Sequence, residues 1–127
     1  MSDISGPQVG PGAAEPPGSV AVLTTDSGVR LVLSGQVDAG MNTELVEAVH
    51  EATRIGLPVD VDTRTVTFMD STVIALMAHM VNRLAHPVRF IEPPEVVRFL
   101  LDLTHIDEVV DVVDEEEVSS EPRSSSD

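Results

Sequence analysis

The chain has no cysteine, no tryptophan, no tyrosine and no lysine. Each absence removes a class of function. Without Cys there is no disulfide, no thiolate nucleophile and no Cys-based zinc site. With three Phe as its entire aromatic complement, the chain lacks the stacking surfaces that single-stranded nucleic-acid binders use. With seven Arg facing 22 acidic residues, the formal charge is −15. A phosphate backbone and an anionic lipid leaflet would both be repelled. No direct nucleic-acid binding is therefore expected, and a protein partner with a basic face is. No apolar run approaches the roughly 18–20 residues needed to cross a bilayer. The first twenty residues have neither the basic nor the apolar part of a signal peptide. The expectation is a cytoplasmic protein without membrane insertion.

Catalytic signatures are missing too. There is no Gly-x-Ser-x-Gly elbow, no His-Glu-x-x-His and no dinucleotide or P-loop fingerprint after a strand. Gly10-Pro11-Gly12 has no strand before it and no helix after it. The four His (His50, His79, His86 and His105) fall in different predicted elements, none at the i, i+4 spacing of a ligand pair. Asp60 and Asp62 share one face of a strand, which reads as a polar edge or strand end before it reads as a cation site. No catalytic residue, metal ligand or cofactor is expected, and the protein is not expected to be an enzyme.

What remains is an aliphatic core, since 42% of the residues are hydrophobic, in a chain the size of one domain. Residues 1–19 are rich in Pro and Gly, and residues 114–127 are acidic and Ser-rich. Neither can bury enough apolar surface to offset the entropy of ordering, so both are expected to be disordered tails. Between them, 20–113 alternates. Val20–Thr24 and Val29–Ser34 read as a hairpin around the turn Thr25-Asp26-Ser27-Gly28. Met41–Ile55 reads as a helix capped by Asn42, with Leu45, Ala48, Val49, Ala52 and Ile55 on one face, stopped by Gly56-Leu57-Pro58. Val59–Thr63 and Val66–Phe68 read as one strand broken near Arg64. Thr72–Leu84 reads as a helix with Val73, Met77, Met80 and Leu84 on one stripe, Met77 and Met80 being core. Pro87–Ile91 is a strand, a third helix opens at Pro93-Pro94 and runs to about Leu103, and Val109–Val113 closes the domain. The order β-β-α-β-α-β-α-β predicts a mixed-sheet α/β fold, a hairpin followed by parallel strands with right-handed crossovers.

Two segments carry a resemblance. Leu33-Ser34-Gly35-Gln36-Val37-Asp38 and Phe68-Met69-Asp70-Ser71-Thr72 resemble the paired signatures of STAS domains of the anti-sigma factor antagonist type. The first is an apolar-x-Gly-x-apolar-Asp run before the first helix. The second is an Asp-Ser-Ser/Thr segment opening the second helix. Pro94 before the third helix and the apolar Val109–Val113 also fit. The resemblance implies a partner-switching protein. In that family, the Ser at the position of Ser71 is phosphorylated by an anti-sigma factor of serine-kinase type, the unphosphorylated form binds that kinase, and a phosphatase resets the cycle. It implies Ser71 as the phosphorylation site, with Thr72 as a candidate second site. It places partner contacts at Gly35, Asp38, Ala39, Gly40, Met41, Asp70, Ser71, Thr72 and Val73, in a monomer or weak homodimer. Two departures are visible. Val73 stands where the family usually has Gly, and an isopropyl group there is expected to narrow the choice of partner or to hinder the kinase. Ala85-His86-Pro87 is short and lacks the family's glycine-rich turn. The resemblance also admits a STAS subunit of another assembly, a lipid-transport ABC complex or a stress-sensing scaffold, with Ser71 only a contact or a helix cap.

The chemistry at Ser71 is expected to follow from its place at a helix start, where N–H groups are unpaired and the dipole favours negative charge. A phosphate adds roughly −1.5 to −2 charges beside Asp70, and beside Asp38 if both loops lie at one end of the sheet. The plainer reading stands next to it: Ser and Asp before a helix are the usual N-caps, Asp38 followed by Ala39-Gly40 is an ordinary turn residue, and Thr72 is a structural helix-start residue.

Overall fold

The structure, a computed structural model, describes residues 17–114. The expected tails lie outside the described residues, apart from 17–19 and 114. Of these, Ser19 belongs to the first strand and Pro17 bridges to Gln36.

The chain runs β1 (Ser19–Thr24), β2 (Val29–Val37), α1 (Asn42–Ile55), β3 (Val59–Met69), α2 (Ser71–Arg83), β4 (Val88–Ile91), α3 (Glu95–Leu103) and β5 (Asp111–Val113). The strands form one sheet in sequence order, β1-β2-β3-β4-β5. β1 pairs antiparallel with β2, and β2, β3, β4 and β5 pair parallel. This is the mixed α/β topology expected from the alternation. Parallel neighbours laid down in order through right-handed crossovers put all three helices on the same face of the sheet.

Alternation along β2 shows the two faces directly. Val29, Leu31, Leu33 and Val37 are buried, while Arg30, Val32 and Ser34 between them are half-buried. The buried set meets Leu45, Ala48, Val49 and Ala52 of α1, and Val73, Ile74, Met77 and Met80 of α2, in one aliphatic cluster around Phe90. Met77 and Met80 are fully buried, as their spacing predicts. On the other face, the predicted pair Asp60 and Asp62 is held by arginines. Arg89 gives Asp60 a bidentate contact at 2.9 Å through both Nε and Nη2. Arg64 reaches Asp62 at 2.7 Å and Arg30 reaches it at 3.4 Å. These carboxylates form an ion-pair ladder rather than a cation site, and among the described residues there is no His/Cys/Asp/Glu cluster that could hold a metal.

Some boundaries differ from expectation. β2 runs on through Gly35 to Val37. β3 is unbroken, yet its register against β2 slips between Val32 and Ser34 and again between Gly35 and Gln36. Two residues of β3, Thr63 and Arg64, oppose the single Leu33 of β2, so the expected break is a bulge. The last strand begins at Asp111, because a short 3-10 turn at Ile106–Glu108 takes up the preceding chain.

Candidate partner-docking site

Because β2 and β3 are parallel, their C-terminal ends, Val37 and Met69, are neighbours in the register. The turns that leave them, and the starts of α1 and α2, therefore lie side by side at one edge of the sheet. This places Asp38 and Asp70 in adjacent loops.

Asp70 is the N-cap of α2 and organises that edge. One carboxylate oxygen, Oδ1, accepts from the Thr72 N–H at 3.1 Å, the Val73 N–H at 3.3 Å and the Thr72 hydroxyl at 2.6 Å. The other, Oδ2, accepts from the Ala39 N–H at 3.1 Å, across in the β2–α1 turn. Its own N–H donates to the Val37 carbonyl at 3.3 Å. The Thr72 hydroxyl, together with the backbone N–H groups of Val73, Ala39 and Thr72, outweighs partial desolvation and holds the Asp70 carboxyl below its usual range. Asp38 caps the 3-10 turn Ala39–Met41. Its Oδ1 accepts from the Gly40 N–H at 2.9 Å and its Oδ2 accepts from the Gln36 side chain at 3.2 Å. No arginine among the described residues pairs with Asp38 or Asp70.

Ser71 is the first residue of α2. It is exposed, and its hydroxyl makes no hydrogen bond to a described residue. With Asp70 as the cap, Ser71 is left with no local task for its oxygen. Ala39, Gly40 and Thr72 are exposed and Met41 is half-buried, so these residues surround Ser71 at an accessible edge. Thr72 differs from Ser71 because its hydroxyl is already committed to Asp70.

Two residues that the sequence assigns to partner contact face inward. Val73 is 1% exposed and packs in the core. Its isopropyl group presents no surface to a visitor and does not narrow partner choice by contact. Gly35 is buried within β2 at φ 70°, beside the second register slip. Its role is to let the strand take a left-handed step that a side chain would strain. The expected cap of α1 moves as well. Asn42 is the first helical residue and makes no cap bond, and the 3-10 turn capped by Asp38 leads straight into the helix.

Comparison with known proteins agrees with this architecture. The family model described as "Mlab, STAS domain" matches residues 20–113. No curated protein matches the chain. Among solved structures, an anti-sigma factor antagonist from Mycobacterium paratuberculosis superimposes with a TM-score of 0.70 at 17% identity, over 76% of this chain and 86% of that one. The anti-sigma factor antagonist SpoIIAA in its unphosphorylated form gives 0.67 at 19% identity, over 84% and 97%. The Bacillus cell fate determinant SpoIIAA in its phosphorylated form gives 0.64 at 17%, over 81% and 98%. At these identities the structural likeness is one of fold. The family model, spanning the whole folded region, establishes that the chain belongs to the STAS domain family.

Proposed function

We propose that this protein is a non-enzymatic anti-sigma factor antagonist that works by partner switching. It binds an anti-sigma factor of serine-kinase type in the cytoplasm, phosphorylation of Ser71 releases that partner, and a phosphatase restores binding. The observation that carries this reading is the state of the Ser71 hydroxyl: exposed, not bonded to any described residue, and beside a carboxylate that no described arginine neutralises. The two helix-start N–H groups nearest to it already donate to Asp70. A phosphate on Ser71 would find those donors occupied and the Asp70 charge next to it. Its roughly −1.5 to −2 charges would stay uncompensated and face whatever is docked there. Bulk, repulsion and desolvation then act together on the partner, and no refolding is needed. The existence of SpoIIAA in both unphosphorylated and phosphorylated forms on the same fold supports the reading.

The test is to incubate the full chain with candidate anti-sigma kinases, map any phosphate by mass spectrometry, and measure binding of wild type, Ser71→Ala and Ser71→Glu. Modification at Ser71 is expected, with Ser71→Ala binding like wild type and Ser71→Glu losing tenfold or more, the effect of one unfavourable desolvated charge at roughly 1.4 kcal/mol per decade. A physiological partner that holds Ser71→Glu as tightly as wild type sinks the switch.

A further inference from the structure

The chain is strongly acidic, yet one groove on its helical face gathers cationic side chains. Arg30, Arg64 and Arg89 are tied to Asp60 and Asp62 on the opposite face of the sheet, and Arg98 is tied to Asp114. Of the described arginines this leaves Arg54 and Arg83. Both line the same groove of about 390 Å3 between α1 and α2, together with His50 and His79. Among the described residues Arg54 pairs only with the half-buried Glu51, its neighbour three residues back, and Arg83 has no ion pair.

The groove is graded along its length. α1 and α2 each connect parallel strands and so run in the same direction. Val46 and Leu76 line it towards the helix starts, and Arg54 and Arg83 line it in the last turns. At 1.5 Å per residue, the step from Val46 to Arg54 is about 12 Å. The two histidines stand between. Val46 is 43% exposed, a large apolar side chain left in water at the end away from the cations. Basic residues in the last turn of a helix also offset its dipole, which accounts for each arginine singly. It does not account for both turning into one groove whose other end is apolar.

We propose that this groove is a binding site for an amphiphilic anion: an aliphatic chain lying against Val46 and Leu76, with a terminal carboxylate or phosphate held between Arg54 and Arg83. The volume suits a small ligand, and the sign of the charge selects an anion on a chain whose net charge is −15. Ser71 lies at the opposite end of α2 and takes no part, so this site stands or falls apart from the partner switch.

The experiment is an NMR titration of the isotope-labelled full chain with decanoate and, separately, decyl phosphate. Inorganic phosphate and decyltrimethylammonium serve as comparison arms. The expected result is saturable shifts confined to the amides of 46–54 and 76–83 with one or both anionic amphiphiles, the stronger identifying the head group. Much weaker effects are expected from inorganic phosphate, and none localised there from the cation. Arg54→Gln/Arg83→Gln and, separately, Val46→Asp should each weaken binding about tenfold or more, with circular dichroism showing the fold retained. The proposal is overturned by shifts scattered over the surface, by equal binding of the cationic amphiphile, by inorganic phosphate binding as well as decanoate, or by a double arginine variant that binds like wild type.

Discussion

Two carboxylates in this domain, Asp62 and Asp70, are kept ionised by different means. On the open sheet face, Asp60 and Asp62 are surrounded by guanidinium groups, and their charge is cancelled where it stands. At the sheet edge, Asp70 is surrounded by N–H and O–H groups, which hold a carboxylate in place without neutralising it. Asp62 is 6% exposed. Burial pushes its carboxyl up, but the hydrogen bonds from Arg64 and the charges of Arg64 and Arg30 outweigh that and leave it below the usual range. Asp62 and Asp70 therefore both titrate low, yet one region ends up electrically quiet and the other negative. For the proposed switch, an edge built from dipoles suits better than one built from counter-ions, because an arginine beside Ser71 would absorb the phosphate and blunt the release.

The largest way to break this comparison is Asp62→Ala. It takes from Arg64 and Arg30 the acceptor they share and removes the carboxylate that accepts from the Arg64 N–H. A loss of about 2–3 kcal/mol is expected, below the 3–5 kcal/mol typical of fully buried pairs because both arginines are about one-third exposed. Denaturant titration measures it. Asp70→Ala comes next, at about 1–2 kcal/mol, the usual cost of a lost cap. Asp70→Asn should keep part of that stability through its one remaining carbonyl oxygen. Added salt separates the two cases: the exposed contribution of the Asp60–Asp62 ladder should shrink between low and high ionic strength, while the Asp70 cap should change little.

The acid limb of stability gives a finer contrast. Both carboxyl groups have folded-state values below the ordinary 3.8. Their contributions are fully present above that value and are lost as pH falls through the lower folded values. Asp70→Asn should flatten the stability–pH curve below about pH 4, and any variant that steepens it contradicts the cap. The smallest expected effect is that of Ser71→Ala on stability, within about 0.5 kcal/mol, since the hydroxyl bonds to no described residue.

The alternation of strands and helices was enough to read the topology, and the stripe Val73, Met77, Met80 was enough to read the face that α2 buries. That stripe already placed Val73 in the core. The motif assigned it to the partner, and the periodicity was the better guide, because a position three residues into a helix has its direction fixed by the residues one and two turns on. Gly35 misled for a related reason: within a motif a glycine reads as an opening for a visitor, and here it relieves a strand that slips register. Asn42 looked like a cap by its type, but a 3-10 turn extends the helical path backwards and moves the cap to Asp38, a shift of backbone path that residue type does not encode. The bond from Ala39 to Asp70 crosses between loops 31 residues apart, and the meeting of His50, Arg54, His79 and Arg83 crosses between two helices. Spacing rules see one element at a time, so neither was visible before the elements were placed.

A single side chain, Asp70, grips both the β2–α1 turn and the beginning of α2. The two loops are thereby riveted into one stiff lip before any visitor arrives. A partner docking on that lip spends little of its interaction energy on freezing mobile chain. Contact can then be made and broken quickly without a folding step on this side, the kinetic property that the proposed exchange of partners needs.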